Sequence, residues 1–189
     1  MSPKELVALL RSFDQVTGLT AGQTTTSPIF KATMLESIWK ALQATDTPIR
    51  SLLAELNTAA CEENRVPDIF VDQQRRCPLV HHRKLQIDEC NKELQQHLVE
   101  VRGILRKPLL EYKSVSDTHY LIEVDHRDEK LVPANWVRIN STKQFGRYHT
   151  PFVRDKLDEL ARHQENLKAE AGAAFRGFLE YIDFINPEY

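Results

Sequence analysis

Several residues between positions 119 and 147 have side chains of the chemical types that commonly bind phosphate. Some are cationic and others are neutral hydrogen-bond donors, and both kinds contact phosphate oxygens. The cations are Lys143, Arg147 and Arg138, and the neutral donors are His119, Ser141, Thr142 and Asn135. Lys143 and Arg147 are the first candidates, because they lie in the expected loop between the last predicted strand and a predicted helix. The N-terminus of that helix, near 151–154, would itself favour a phosphate.

The charge distribution favours an anionic partner for this part of the chain. The 189 residues have a net charge of -2, but the charges are segregated. Residues 101–154 carry 10 basic and 6 acidic side chains, whereas residues 155–189 carry 4 and 8 and residues 1–100 carry 11 and 13. A basic segment therefore lies between acidic arms.

Neither catalysis nor a metal site is predicted. No nucleophile stands with a base at a useful spacing, and His81, His82 and His149 have no carboxylate placed for proton transfer. Cys77 is near His81 and His82, but no second cysteine pair completes four zinc ligands. The three cysteines are an odd and dispersed number, which favours a reducing compartment over a disulfide framework.

Alternating apolar and polar residues predict a small antiparallel sheet. Three strands are expected at 109–115, 119–124 and 135–140, with a tight turn at 114–118 and a longer charged loop at 125–133. Their order in the sequence favours a meander. Three such strands are hardly stable alone, so the sheet is expected to rest on helix ends or on a ligand.

Two long helical patterns flank this sheet. The first, at about 84–106, repeats apolar residues at steps of three and four and stops before Pro108. The second begins at Thr150 as N-cap with Pro151 at the first helical position, and Pro187 ends it. Its steps alternate strictly between four and three, which is the heptad spacing of helices packed side by side. The seam is Val153, Leu157, Leu160, Gln164, Leu167, Ala171, Ala174, Phe178 and Tyr181.

The N-terminal part is also predicted to be helical. Ser2 can cap a short amphipathic helix that begins at Pro3 and carries apolar residues up to Phe13. A loop is expected at 17–28. A second helical pattern runs over 30–56, and Pro48 should divide it into two helices because a proline inside a helix removes a hydrogen bond and clashes with the preceding turn. The segment 62–82 has the composition of an irregular connector.

At the central segment the chain resembles the MutS family of DNA mismatch-repair proteins. The strand Tyr120-Leu121-Ile122-Glu123-Val124 matches a family strand motif, followed by Val132-Pro133 and Trp136. Thr142-Lys143 and Arg147-Tyr148-His149-Thr150-Pro151 match the closing motif. The Ser141-Thr142-Lys143 form and the Tyr-x-Thr ending look most like the eukaryotic homologues. Among these the sixth homologue, the mismatch-reading partner in a nuclear heterodimer, is the most similar.

The resemblance implies a fold that is mostly α with a small antiparallel β insertion. A long helical lever hairpin would carry a three-stranded clamp, with lever helices and connector at 1–108, the clamp at 109–150 and the return lever helix at 151–189. The clamp would close over duplex DNA and touch phosphates, not bases. A heterodimer with a second MutS homologue and a nuclear location are implied for the full-length protein.

Two domains of the family have no counterpart in this sequence. No mismatch-reading Phe-x-Glu domain precedes the lever helices, and Phe178-Leu179 stands where a phosphate loop after Gly172 and Gly177 would need lysine and a hydroxyl. ATP and Mg²⁺ are therefore expected only for a full-length member, and the chain is expected to be a fragment or a truncated product without enzyme activity. No apolar run approaches the ~20 residues of a membrane span.

Several alternatives stay open from the sequence. Arg147 could pair with Glu123 or Asp155 and anchor its loop instead of contacting phosphate. Tyr120, Trp136 and Tyr148 are expected to form the small core of the sheet in preference to a platform on which bases stack. In place of a DNA clamp, the chain could be a helical protein-protein interaction module in which the basic sheet is incidental.

Overall fold

The computed structural model describes residues 1–18 and 33–185, with side chains up to Asp183. Six α-helices and four strands are present in this part of the chain. The helices are α1 (Pro3–Gly18), α2 (Thr33–Glu55), α3 (Thr58–Glu62), α4 (Gln73–Arg76), α5 (Pro78–Leu105) and α6 (Pro151–Ile185). The strands are β1 (Lys113–Val115), β2 (Thr118–Asp125), β3 (Val137–Ser141) and β4 (Phe145–His149), and two 3₁₀ segments cover Val66–Asp68 and His126–Leu131. The predicted class, mostly α with a small antiparallel sheet, is confirmed.

The chain divides into two compact units. The first comprises residues 1–81 together with 167–189, and the second comprises residues 82–166. The core of the first unit gathers buried residues of α1, α2 and α6 around Ile69 and Phe70. In the second unit, Cys90 and Leu94 of α5 pack with Val153 and Leu160 of α6, and a separate cluster lies under the sheet. The structure therefore pairs the two predicted apolar seams within this unit.

The first residues of α1 and of α6 are fixed by local capping hydrogen bonds. Ser2 Oγ accepts a hydrogen bond from the Glu5 backbone N–H at 3.3 Å, and the Glu5 carboxylate accepts one from the Ser2 N–H at 2.7 Å, forming a capping box. Thr150 Oγ1 accepts from the Val153 N–H at 3.0 Å, which confirms Thr150 as the N-cap of α6. At 35 residues, α6 is about 52 Å long.

Pro48 does not divide the second helical pattern, so that prediction was wrong. The helix α2 continues through Pro48 to Glu55. The lost hydrogen bond costs about 3 kcal/mol, but it is offset because Ile49 and Leu52, just beyond the proline, are each only 8% exposed and reach the core side of the helix. The expected connector at 62–82 also contains α4 and the first turn of α5, which begins six residues earlier than predicted.

The loop predicted at 17–28 and the helix end predicted at Pro187 lie largely outside the described residues. Of the loop expected at 17–28, only Thr17 and Gly18 are described, and both belong to α1. The Thr17 hydroxyl donates to Asp46 Oδ1 at 2.9 Å, which joins α1 to α2. Pro187, predicted to end the return helix, falls beyond the described range, and α6 is described to Ile185.

The sheet has four antiparallel strands in the order β1-β2-β4-β3, not a three-stranded meander. The missed strand is β4, which lies between β2 and β3 and occupies the region predicted as a loop before α6. Its neighbours explain why it forms: Tyr148 lies opposite Ile122 and Arg147 opposite Glu123, so each β4 side chain finds a partner across the ladder. The first strand is also shorter than expected, since residues 109–112 are outside β1.

Candidate nucleic-acid interface

The outermost turn of the sheet joins β3 to β4 and carries Lys143. Thr142 shapes this turn, because its hydroxyl accepts hydrogen bonds from the backbone N–H groups of Gln144 and Phe145 at 3.3 and 3.1 Å. The backbone N–H of Thr142 also donates to the Phe145 carbonyl at 2.8 Å. Lys143 is exposed and has no hydrogen bond or ion pair with any residue that the structure describes. We call residues 141–144 the hairpin tip.

The hairpin tip is braced from the side by the 3₁₀ segment that begins at His126. The backbone N–H of His126 donates to the Gln144 carbonyl at 3.2 Å, and its Nε2 lies 2.9 Å from the Thr142 carbonyl. Its Nδ1 lies 2.9 Å from Glu129 Oε1. Both ring nitrogens thus face groups that only accept hydrogen bonds, and the protonated imidazolium is the form that satisfies both. The brace places the His126 ring, whose protonated form it favours, against the backbone of the hairpin tip.

The contacts of His126 determine the direction in which its pKa is shifted. The hydrogen bonds to the Thr142 carbonyl and to Glu129 raise the pKa of His126, while Arg138 opposes the rise. The folded protein therefore holds the proton more tightly than the unfolded chain, so the stabilisation is complete below the ordinary value of about 6.5 and is lost as pH rises through the raised pKa. A histidine NMR titration should find the His126 pKa above that ordinary value.

His149 provides an internal contrast for the same titration. Burial lowers the pKa of His149, whose Nε2 lies 2.9 Å from the His119 carbonyl. Its contribution to stability is present above the ordinary pKa and is lost as pH falls through the lowered one. The resonance assigned to His126 should disappear in the variant His126→Gln. A pKa for His126 at or below the ordinary value would contradict the doubly donating brace.

Arg147 is engaged with two neighbouring side chains in this structure. Its Nε donates to Glu123 Oε1 at 2.8 Å, and its Nη1 donates to Asn140 Oδ1 at 3.3 Å. The two charged side chains are only 17% and 24% exposed. Of the alternatives weighed from the sequence, the geometry matches the one in which Arg147 pairs with Glu123 and anchors its own segment.

Arg138 also faces a carboxylate. Its Nη2 lies 3.4 Å from Glu129 Oε1, the same oxygen that accepts from the Tyr148 hydroxyl at 2.9 Å and faces His126. These contacts, with that of His126 as the largest, lower the pKa of Glu129. Glu129 therefore stays ionised and ties the 3₁₀ segment to β3 and β4. The side chain of Arg138 is 46% exposed, so part of its guanidinium still reaches solvent.

Gly146 belongs to this arrangement because there is no room for a side chain. A Cβ at this position would lie 2.7 Å from ring and hydroxyl atoms of Tyr148 and 2.9 Å from Glu129 Oε1. The requirement is for space, since the backbone of Gly146 does not adopt a positive φ. The side chains of Tyr148 and Glu129 can meet above β4 only because residue 146 lacks one.

Of the remaining candidates, His119 and Asn135 lie at the end of the sheet opposite the hairpin tip. Val137 is opposite His149 and Ser141 is opposite Gly146, so Asn135 is at the end where α6 begins and Ser141 is at the hairpin tip. His119 is at the same end as Asn135, with its Nδ1 3.1 Å from Ser114 Oγ. The structure thus brings together Ser141, Thr142 and Lys143 but separates them from His119 and Asn135 by the length of β4, about 17 Å.

The expected phosphate site shared by Lys143 and the N-terminus of α6 is not formed. The helix begins after β4, whereas Lys143 precedes β4, so the strand separates them. Thr150 is 3% exposed, and its hydroxyl contacts His97 Nε2 at 2.9 Å as well as capping the helix. The error arose because the segment 145–149 was interpreted as a loop.

The aromatic residues of the segment lie in cores, as expected. Trp136 and Tyr148 are 9% and 7% exposed and pack with Ile122 and Val124. Tyr120 packs instead on Tyr112, with ring centroids 5.4 Å apart, and its hydroxyl donates to Asn91 Oδ1 at 2.7 Å. These packed positions leave them poorly placed to stack on bases.

Two residues beside the hairpin tip were not predicted as candidates from the sequence. His126 and Arg127 fall in the segment interpreted only as a charged loop, although Asp125 caps it by accepting from the Arg127 N–H at 3.0 Å. The side chain of Arg127 is 90% exposed and pairs with Asp125 at 3.2 Å. The signal that could have identified them is the Asp-His-Arg run directly after a strand, which is typical of a capped turn.

The geometry defines a helical protein that carries an antiparallel sheet with an exposed basic hairpin tip. The sequence model of MutS family domain IV matches residues 82–166, which contain the whole sheet. The chain belongs to the MutS family.

Relatives of known name support this assignment. DNA mismatch repair protein MSH3 of Cryptococcus neoformans var. neoformans serotype D is 37% identical over 150 residues, covering 79% of this chain and 12% of the relative. The protein of the same name from Mus musculus is 34% identical over 134 residues, covering 71% and 12%. That of Mycosarcoma maydis is 29% identical over 181 residues, covering 96% and 16%. All three are named MSH3 or Msh3, so they do not support the resemblance to the sixth homologue.

The chain spans only about 12 to 16% of the length of these relatives. None of its described helices is long and apolar enough to cross a membrane.

Proposed function

We propose that this chain is the lever and clamp portion of a MutS-like mismatch-repair protein and that its hairpin tip contacts duplex DNA phosphates without reading base sequence. The observation that carries the proposal is Lys143, an exposed lysine with no partner among the described residues, held at the end of an ordered and braced turn. Contacts of this kind position a protein on the duplex and carry no sequence information.

We assign the contact to a set of cations that differs from the one expected from the sequence. Lys143, the imidazolium of His126 and Arg127 lie at or beside the hairpin tip, and the exposed pair of Arg127 with Asp125 is weak enough to be exchanged for a phosphate. Arg147 and Arg138 are engaged with carboxylates and act instead to position the tip. Ser141 and Thr142 supply the neutral groups there, and His119 and Asn135 have no part in the same contact.

Weak, salt-sensitive binding follows from so few contacts. One to three neutralised phosphates give a slope of log K against log salt between about −1 and −3, since each contributes about −0.9. The test is fluorescence anisotropy of the full chain with two duplexes of unrelated sequence at increasing salt. We expect equal affinities for the two duplexes and a slope in this range. Absence of binding at low salt, or a clear preference for one sequence, would reject the proposal.

The place of this segment in a longer protein is part of the proposal. The lever helices and connector would occupy 1–108, the clamp 109–150 and the return lever helix 151–189. The longer protein would act in mismatch repair in the nucleus, in a heterodimer with a second MutS homologue, and any ATP and Mg²⁺ would be bound outside this segment. The role of this segment is to hold DNA, not to perform catalysis.

An apolar groove in the first unit favours a second candidate function, a helical protein-protein interaction module. The groove encloses about 680 Å³ between α1, α2 and the last turns of α6. Leu9, Phe13 and Ile38 line it and are 43%, 45% and 47% exposed, so they offer apolar surface to a partner. A helical partner that binds equally well to a variant lacking the charge of Lys143, with no DNA binding by either protein, would favour this candidate.

A further inference from the structure

A cysteine, a glutamate and a histidine meet between α5 and α6 in the second unit. Cys90 is on α5, and Glu159 and His163 are one helical turn apart on α6. One ligand atom from each lies within 4.8 Å of the other two. Cys90 is 3% exposed, and the side chains of His163 and Glu159 are 13% and 35% exposed, so the group is partly shielded and is open to solvent on the glutamate side.

The hydrogen bonds around this group leave ligand atoms available. His163 Nδ1 is buried and has no hydrogen-bond partner in the described part of the chain. Its Nε2 is 3.5 Å from Glu159 Oε1, which is the outer limit of a hydrogen bond. Lys156 takes the other oxygen of Glu159, Oε2, at 2.7 Å and also pairs with Glu93 at 2.5 Å. A buried imidazole nitrogen without a protein partner is a feature that a bound ligand can explain.

We propose that Cys90, Glu159 and His163 form a zinc site that joins α5 to α6. Thiolate, imidazole and carboxylate are the ligands that zinc prefers, and three protein ligands leave the fourth position for water. Tetrahedral bonds of about 2.0 to 2.3 Å place ligand atoms about 3.5 Å apart, so small rotations of the three side chains close the present spacing. Metal binding displaces the proton of the Cys90 thiol into solvent, while His163 binds as the neutral ring.

Lys156 sets the expected affinity of this site. Its ammonium group already neutralises part of the charge of Glu159, which weakens the attraction for a divalent cation. The pair of Lys156 with Glu93 can persist when Glu159 Oε1 turns toward the metal, since that pair uses a different carboxylate. The site is therefore expected to bind zinc reversibly and to be emptied by a chelator. The bound zinc ion would hold α5 and α6 together, and this role does not depend on DNA binding.

Cobalt provides the spectroscopic test, because Co²⁺ bound by thiolate has an intense charge-transfer absorption. The full chain is titrated with Co²⁺, the band is then displaced by Zn²⁺, and thermal unfolding is followed with and without Zn²⁺. We expect the band to saturate at one Co²⁺ ion per chain and to disappear when Zn²⁺ is added. We also expect a higher Tm in the presence of Zn²⁺. The variant Cys90→Ala should lose the band, because it removes the thiolate. His163→Ala removes a direct ligand and should weaken binding by more than the roughly tenfold that loss of an outer-shell partner costs.

Matched controls separate this site from other histidines and carboxylates. His82→Ala removes an exposed histidine and Glu165→Gln an exposed carboxylate, and both should retain the band. If Cys90→Ala does not fold, as judged by its far-ultraviolet circular dichroism, Glu159→Gln tests the site without altering the core. A band that survives in both Cys90→Ala and His163→Ala, or no band in the unaltered chain with excess Co²⁺, would overturn the proposal.

Discussion

Replacing Lys143 by glutamate is expected to lower the affinity for duplex DNA by about tenfold at moderate salt, because it removes one phosphate contact and adds a repelling charge. The slope of log K against log salt should become less steep by about 0.9 or more. Stability should be unchanged, since Lys143 is exposed and has no partner among the described residues. Fluorescence anisotropy over a range of salt concentrations measures both changes, and circular dichroism checks the fold.

A charge reversal elsewhere in the same unit controls for net charge. The side chain of Lys92 on α5 is 70% exposed, and among the described residues it has one long ion-pair contact, 3.9 Å, with Glu89. Lys92→Glu therefore changes the total charge by the same amount as Lys143→Glu without altering the hairpin tip. Equal losses of affinity in the two variants would mean that net charge decides binding, and the hairpin tip would lose its proposed role.

Replacing Arg147 by methionine should destabilise the protein by about 2 to 3 kcal/mol. Removing one partner of a fully buried ion pair costs about 3 to 5 kcal/mol because the other charge is left without compensation. We expect the lower figure because Arg147 and Glu123 keep 17% and 24% of their side-chain exposure. Urea unfolding followed by tryptophan fluorescence measures the loss, and Trp136 in the core under the sheet reports on this unit.

A second substitution tests whether the lost charge pair is the cause. In Glu123→Leu with Arg147→Met the unpaired carboxylate is gone, so most of the stability should return. Arg127→Met is the control, because its pair with Asp125 is exposed and should contribute little. If Arg147→Met is as stable as the unaltered chain but loses DNA affinity, Arg147 binds phosphate after all and Glu123 is only its resting partner.

The helices could be predicted because their signals are local. In α5, Cys90, Leu94 and Val101 repeat at helical steps and are all buried. The start of α6 is signalled by Thr150 and Pro151, and the capping hydrogen bond spans only three residues, from Thr150 to Val153. Pro48 shows the limit of such local rules, since the burial of Ile49 and Leu52 outweighs the cost of the proline. That balance depends on residues packed from elsewhere in the chain.

The site was harder to predict because it depends on pairing across the sheet. Arg147 has Glu123 as its partner because β2 and β4 pair in one register, and sequence alone left Glu123 and Asp155 as alternatives. The brace from His126 to the hairpin tip joins residues 16 positions apart through the Thr142 carbonyl, with no motif to indicate it. Cys90 and His163 are likewise brought together only by the packing of α5 on α6.

The strand β3 has a consequence for the solution behaviour of this chain. It is the last strand of the sheet order, and all five of its residues are exposed. An edge of this kind offers free backbone groups on which another chain can add a strand and begin aggregation. The register shift between Arg138 and Asn140 interrupts that ladder, and the half-exposed guanidinium of Arg138 places charge beside it. The same irregular, charged strand that leads to the hairpin tip is therefore expected to disfavour self-association through this edge of the sheet.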